Sequence, residues 1–132
     1  MIRNYRIASN LLVSSEEGDF DLLDASIVES SFILSQKVID IKFLNYTGNL
    51  EINFKFIEVD LLEFLMDEQL NSDDLRLDQI GFHFKDLQSS NDSFNPDFDG
   101  FKESSILFWF REENYIKIGA KKSIVSVFNL NP

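Results

Sequence analysis

Two stretches of alternating apolar and polar residues, separated by a short turn sequence, place the strongest constraint on the fold of this chain. The alternation runs through residues 39–43 and again through residues 50–56, and Asn45-Tyr46-Thr47-Gly48-Asn49 lies between them. A period of two residues is typical of a β-hairpin that packs one face and exposes the other to water. The sequence therefore predicts adjacent antiparallel strands over Lys37–Phe43 and Leu50–Phe56. Six side chains are predicted in the core: Ile39, Ile41, Phe43, Ile52, Phe54 and Phe56.

Further strands are predicted where β-branched and aromatic residues concentrate. These stretches are Ser26–Leu34, Ile80–Phe84, Ile106–Phe110, Tyr115–Ala120 and Ser123–Phe128. Every position of the third stretch is apolar, which predicts a strand covered on both faces. A length of 132 residues predicts a single domain over residues 1–132. The predicted fold class is mainly β, an antiparallel meander that forms a sandwich or a half-open barrel.

The stretch from Val59 to Leu70 is compatible with two structures. Its apolar residues fit one face of a helix, and Asp60 with Glu63 has the spacing of a capping box. The apolar positions Phe56 and Val59 are instead related by a one-residue slip in a strand, which predicts a β-bulge. We expect the strand to end at about Val59 and one short helix to follow near residues 60–70.

Composition excludes several classes of chemistry. The chain has a net charge of −11, no cysteine, one histidine and 14 phenylalanines. Disulfides are therefore absent, and the usual Cys and His ligands of zinc are not available. An acidic protein is repelled by phosphate backbones, so we expect no direct nucleic-acid partner. No apolar stretch has the length of a signal peptide or a membrane helix, which predicts a cytoplasmic protein that does not enter a membrane.

Catalytic and cofactor motifs are weak in this sequence. His83 lies between Phe82 and Phe84, so a strand there turns it to the opposite face, towards solvent or a second layer. No Gly-x-Ser-x-Gly motif accompanies it. The five glycines are scattered singly, so neither Gly-rich phosphate motif is present. We predict that the protein is not an enzyme and has no cofactor.

The stretch Asn95-Pro96-Asp97-Phe98-Asp99-Gly100 resembles the start of a calcium-binding loop. Its glycine falls at the sixth position, as such loops require. The twelfth position is Ile106 rather than the glutamate that would close the site. The sequence leaves open whether this loop binds calcium, and an Asx-type turn in a surface loop is the alternative.

Acidic residues are concentrated in one part of the chain. Residues 58–78 contain eight Asp or Glu residues against one arginine. Such asymmetry suggests an electrostatic partner, although a solvated surface that keeps a Phe-rich chain soluble is the alternative. The residues predicted to face a partner are Glu63, Asp67, Glu68, Asp73, Asp74 and Asp78.

The order of the apolar patterns carries a family resemblance. It begins with Leu22-Leu23-Asp24-Ala25-Ser26-Ile27, continues through Leu50-x-Ile52-x-Phe54-x-Phe56-x-x-Val59-x-x-Leu62, and reaches Ile106–Phe110 and Tyr115-Ile116-Lys117-Ile118-Gly119-Ala120 before a final apolar strand. This order, over about residues 20–128, resembles that of small β-rich bacterial proteins grouped with the immunity proteins of polymorphic toxin systems. The resemblance implies a mostly antiparallel fold and, for some members, tight binding to a cognate toxin. The acidic stretch Val59–Asp78 departs from the pattern.

These observations predict a non-catalytic acidic binding protein, most concretely an immunity protein that neutralises a cationic, nuclease-type toxin domain. Complementary charge would speed the encounter of the two proteins and disfavour wrong partners. Two alternatives stay open. One is a structural or assembly protein that pairs an exposed edge strand with another chain. The other is a small-ligand-binding or hydrolytic protein with a pocket between the sheet and residues 59–70.

Overall fold

The computed structural model describes residues 1–9, 11–66, 75–84 and 104–130. Two short 3₁₀ turns, Leu34–Gln36 and Arg111–Glu113, join consecutive strands, and no helix within these ranges is long and apolar enough to cross a membrane. The predicted mainly β fold class is confirmed. In chain order the strands are β1 (Ile2–Arg3), β2 (Tyr5–Ser9), β3 (Leu12–Ser15), β4 (Gly18–Asp21), β5 (Ser26–Ile33), β6 (Val38–Leu44), β7 (Leu50–Leu65), β8 (Leu77–Phe84), β9 (Ser104–Phe110) and β10 (Tyr115–Asn129).

The larger sheet has the strand order β5-β6-β7-β10-β9-β8, and all these pairs are antiparallel. Its two outer strands meet at one end, where the Leu77 amide donates to the Ala25 carbonyl at 2.8 Å and the Asp24 amide donates to the Leu77 carbonyl at 3.3 Å. A single bridge pairs Ser26 with Arg76. Beyond Ser26 no described strand pairs with the outer edge of β5. The sheet is therefore a half-open barrel, closed at one end and open along one side.

Arginine side chains hold the closed end together. The Arg76 guanidinium donates to the Asp24 carbonyl at 2.9 Å, and the Arg111 guanidinium pairs with the Asp24 carboxylate. Asp24 itself adopts a positive φ of 55°, a conformation that aspartate tolerates better than most residues. This residue therefore links the start of β5 to the neighbourhood of both β8 and β9.

The predicted hairpin is confirmed, together with its core face. Strands β6 and β7 pair with Ile41 opposite Phe54, and Phe43 lies opposite Ile52. All six predicted core side chains are at most 4% exposed. Strand β9 is buried on both faces, as its unbroken apolar sequence predicted, since each residue from Ser105 to Phe110 is at most 8% exposed.

The helix predicted near residues 60–70 is wrong over the part that the structure describes. Strand β7 continues through Leu65 because β10 pairs with it along its whole length, from Asn129 opposite Leu50 to Tyr115 opposite Leu65. This long ladder satisfies the backbone of residues 60–65 without a helix. The predicted bulge is confirmed: the register of the β7–β10 pair shifts between Gly119 and Ala120, which lie opposite Leu61 and Val59, and the buried face of β7 shifts from Phe56 to Val59.

A second, three-stranded sheet of β2, β3 and β4 was not predicted from the sequence. It buries Ile7, Val13 and Phe20 in the same core as the hairpin. The Tyr5 ring meets the Phe54 ring edge-on with centroids 5.4 Å apart, and the Tyr5 and Ser123 hydroxyls are hydrogen-bonded at 2.9 Å. The small sheet is therefore a second layer over one part of the barrel.

Candidate functional site

An apolar groove lies on the open side of the barrel. Its main part has a volume of about 260 Å³, and an adjoining part of about 370 Å³ shares Ser30, Met66 and Ile116 with it. The two parts form one continuous depression, which we call the open-side groove. Its described lining residues are Ile27, Val28, Glu29, Ser30, Ser31, Phe32, Ile39, Ile41, Leu62, Phe64, Met66, Leu75 and Ile116.

The register of the sheet explains why these residues share one face. Phe32 lies opposite Ile39 across the β5–β6 pair, and Ile116 lies opposite Phe64 across the β10–β7 pair. Directly opposed residues in an antiparallel pair project from the same face of the sheet. Strand β5 and the far half of β7 thus supply the two walls, and β6 supplies the floor.

Exposure divides the groove into a closed floor and open walls. Ile39 and Ile41 are 4% and 1% exposed, whereas Phe32 is 46% and Phe64 is 63% exposed. Beside the groove, Ile33 and Leu34 are 44% and 75% exposed. A contiguous group of large exposed apolar side chains marks an interaction surface in a soluble protein.

Strand β5 forms one wall and is also an edge of the sheet. Its sequence, Ser-Ile-Val-Glu-Ser-Ser-Phe-Ile, contains no lysine, arginine or proline, which are the residues that usually protect an edge from pairing. A register shift lies between Ile27 and Glu29, and Ser30 to Ile33 then pair regularly with β6. The outer edge of that regular segment pairs with no described strand.

The charge at this wall is negative. Glu29 is the single charged residue among the described lining residues of the groove. The Lys42 ammonium lies 2.9 Å from the Glu51 carboxylate and 3.2 Å from that of Glu29. Hydrogen bonds to Glu51 and then Glu29 raise the pKa of Lys42 above its ordinary value. Two carboxylates therefore share one lysine, which leaves one net negative charge.

The structure places two of the six predicted partner-facing residues, and it places them apart. Glu63 is half-buried on the face opposite the groove, where its carboxylate accepts a hydrogen bond from the Tyr115 hydroxyl at 2.6 Å. Asp78 is exposed at a register shift in β8. Strands β10 and β9 lie between them, so three strand spacings, about 14 Å measured along the sheet, separate the two strands. Their role towards a partner stays a prediction.

The other four predicted residues, Asp67, Glu68, Asp73 and Asp74, lie outside the described residues. In the chain they fall between Met66 and Leu75, and both of these flanking residues line the open-side groove. Residues 67–74 contain these four carboxylates and no lysine or arginine.

The face opposite the groove carries buried polar side chains. His83 is 1% exposed, so of the two predicted alternatives, solvent or a second layer, the structure excludes solvent. Lys117 is fully buried as well, and Trp109 stacks on Tyr115 with ring centroids 5.5 Å apart. The Ser105 hydroxyl donates to the His83 carbonyl at 2.9 Å rather than to the imidazole. This geometry is not that of a nucleophile activated by a base.

Neither a group of metal-ligating side chains among the described residues nor a match to a known protein was found. Within the described ranges, no group of three His, Cys, Asp or Glu side chains has the geometry to hold a metal ion. The calcium-like stretch Asn95–Gly100 lies outside them. Comparisons of the chain with protein-family models, curated proteins and solved structures found no match.

Part of the groove was foreseen from the sequence. A pocket between the sheet and residues 59–70 is one of the alternatives that the sequence leaves open, and Phe64 and Met66 from this stretch line the groove. The sequence did not indicate that Phe32 and Ile116 also line this groove. The local signal for Phe32 is that Phe32, Ile33 and Leu34 are consecutive apolar residues. A strand with one solvent-exposed face would instead alternate apolar and polar residues.

Proposed function

We propose that this protein is a non-catalytic binding protein, concretely an immunity-type protein that neutralises a cationic toxin domain in the cytoplasm. The observation that carries the binding role is the open-side groove, whose walls expose Phe32 and Phe64 to solvent. Exposed aromatic side chains beside a closed apolar floor are typical of a surface that a partner covers. Neither a cofactor nor contact with nucleic acid is part of the proposal.

The shape of the groove favours a protein partner over a small molecule. A small-molecule pocket usually buries most of its ligand and directs several polar groups at it. Here the walls are open, since Phe64 is 63% exposed. Among the described residues, the polar lining consists of Glu29, Ser30 and Ser31, all on one strand. A broad apolar contact from another protein fits such a surface better.

The charge of the chain supports a cationic partner. The net charge is −11, and several described cations are already paired: Lys42 with Glu51, Arg111 with Asp24, and Lys121 with Glu58 at 3.0 Å. An excess of carboxylates remains to act on a partner at a distance. Such a field speeds the association of a cationic protein and slows that of an acidic one.

The proposal is tested by isolating the partner and measuring its association rate. The tagged chain is used to capture proteins from its native host, and the rate is measured for the captured protein at two salt concentrations. We expect a basic protein whose association rate falls by about tenfold between about 0.03 M and about 0.3 M sodium chloride, because salt screens the charges. A partner with an acidic surface, or a rate independent of salt, would contradict the proposal.

Two charge variants locate the effect. The first replaces Asp67, Glu68, Asp73 and Asp74 by their amides, and we expect it to slow association by several-fold. The matched control replaces Glu16, Glu17, Asp19 and Asp21, which belong to the β3–β4 hairpin. Asp21 accepts a hydrogen bond from the Leu23 amide, and Glu17 accepts one from the Val127 amide of β10. The corresponding side-chain amides keep an oxygen that can accept these bonds. Equal rates for the two variants would show that the stretch between Met66 and Leu75 has no special role.

A further inference from the structure

We infer that the partner binds by strand addition: an extended segment pairs with the outer edge of β5 and inserts alternate apolar side chains into the open-side groove. The inference rests on the proposed function and names the part of the partner that this protein recognises. The segment is an extended peptide with apolar residues at every second position and lysine or arginine at its ends.

The backbone of β5 provides the first part of the argument. The main-chain groups on the outer edge of Ser30–Ile33 meet no described strand, and Ser30, Ser31, Phe32 and Ile33 are all exposed. An unpaired edge is a template for another extended chain, because each added residue pair satisfies backbone donors and acceptors. The segment Ser30–Ile33 contains no charged residue and no proline, and it follows the register shift between Ile27 and Glu29, so this part of the edge is open to such pairing.

The groove provides the side-chain specificity. Ser30 and Phe32 project from the core face of β5, since they lie opposite Ile41 and Ile39. An added strand would run about 4.8 Å beyond them, and every second side chain would project from the same face. Those side chains would lie over the groove, between Phe32 on one wall and Phe64 on the other. Apolar residues at alternate positions therefore fit, and the intervening residues face away.

The net charge of the chain favours a segment of another protein over a second copy of this chain as the partner of the β5 edge. A second copy would bring together two chains of net charge −11, and like charges at an interface are strongly unfavourable. Glu29 on the paired strand, together with the net negative charge of the chain, favours cationic ends on the added segment. We therefore assign the edge to a basic partner and not to self-association.

The first experiment measures binding of synthetic peptides by titration and by the NMR signals of the Ser30–Ile33 amides. The probe is Lys-Thr-Val-Thr-Phe-Thr-Val-Lys. One comparison peptide has glutamate at both ends, and another has the same composition with its apolar residues consecutive. We expect the probe to bind at least about ten times more tightly than either. No change in these amide signals at about 1 mM probe would overturn the inference, as would equal binding of all three peptides.

Methylation of the peptide backbone separates strand addition from side-chain docking alone. The amides of alternate residues in a strand point to the same side. One probe is N-methylated at its apolar residues and another at its internal threonines. We expect one of the two to bind like the parent and the other to lose at least about tenfold in affinity. Equal losses, or no loss in either, would overturn pairing with β5.

Groove variants test the side-chain contact. Phe64→Ser is expected to weaken binding of the probe by about tenfold, because Phe64 forms one wall. Phe128→Ser is the matched control, since Phe128 is similarly exposed at 54% but does not line the groove. Both residues are exposed, so both variants should fold. Equal affinities of the two variants for the probe would contradict the inserted side chains.

The remaining outcomes keep this inference apart from the proposed function. A basic protein that is captured but not displaced by the probe, and that binds Phe64→Ser normally, would overturn strand addition and leave the binding role standing. Binding of the probe with no basic protein captured would support strand addition and contradict the proposed binding of a cationic toxin domain. A dimer in sedimentation equilibrium that Phe64→Ser dissociates would assign the edge to a second copy and overturn the inference. Binding of palmitate in place of the probe would also overturn it.

Discussion

Replacing Phe54 by alanine is expected to lower the free energy of unfolding by about 3–5 kcal/mol, the usual cost of removing a buried phenyl ring. Phe54 is fully buried. Its ring meets those of Tyr5, Phe43 and Phe108 edge-on, with centroids 5.4, 5.9 and 5.3 Å away. These neighbours come from both sheets, so no single side chain can move to fill the cavity. Urea denaturation followed by Trp109 fluorescence measures the effect.

A matched phenylalanine provides the control for this measurement. Phe128 is 54% exposed near the end of β10, and Phe128→Ala should change the free energy of unfolding by less than about 1 kcal/mol. The free energy of unfolding of an ordinary domain is about 5–15 kcal/mol. Phe54→Ala should therefore also increase the fraction of unfolded chains at physiological temperature. A loss below about 1 kcal/mol for Phe54→Ala would show that the two layers do not pack through this ring.

The second large effect is a loss of stability at alkaline pH that depends on Tyr5. Burial raises the pKa of Tyr5 from 10.0 to about 12, while the hydrogen bond with Ser123 and the charge of Arg3 act in the opposite direction. Below pH 10 the phenol is protonated in both the folded and the unfolded chain. Above that pH the unfolded chain releases the proton first, so the free energy of unfolding falls as pH rises through the folded pKa. The expected total loss is about 2–3 kcal/mol.

Comparison of variants isolates this contribution from other groups that titrate at high pH. In Tyr5→Phe the alkaline loss due to Tyr5 should disappear, although the variant should lose about 1 kcal/mol at neutral pH with the hydrogen bond to Ser123. The advantage of the wild type over Tyr5→Phe should therefore shrink above about pH 10 and reverse by about pH 12, because the alkaline loss exceeds the hydrogen-bond contribution. Tyr46→Phe serves as control, because Tyr46 is 71% exposed. A difference that stays constant up to pH 12 would mean that the Tyr5 hydroxyl is accessible to water in the folded protein.

The hairpin of β6 and β7 was predictable because its signal is local. Alternation of Ile39, Ile41 and Phe43 with polar residues identifies a strand and its buried face at once, since successive side chains of a strand point to opposite sides. The bulge between Val59 and Leu61 was predictable for the same reason, because a one-residue slip in the apolar period needs an extra residue in the strand.

The far half of β7 shows where local patterns stop being sufficient. The apolar positions between Leu61 and Leu65 fit a helix as well as a strand with mixed faces. Pairing with Tyr115–Gly119 of β10 decided in favour of the strand. That ladder joins residues at least 50 positions apart in the chain, and periodicity in a short window carries no information about it.

The small N-terminal sheet escaped prediction for a related reason. Strands β3 and β4 have only 4 residues each, too few for an alternating pattern to be distinctive. Their stability comes from burial of Ile7, Val13 and Phe20 against the hairpin, which is a tertiary interaction.

The amino-acid sequence by itself determined the strand period, the buried face of the central hairpin and the net charge of −11, because these follow from the order and chemistry of neighbouring residues. Only the tertiary structure decided where the barrel closes and where it stays open. Closure near Ala25 and Leu77 leaves the rest of β5 as an edge. That edge places Phe32 across a groove from Phe64, two residues that are 32 positions apart in the chain. Which distant strands meet depends on the packing of the whole chain, so no local pattern encodes the groove.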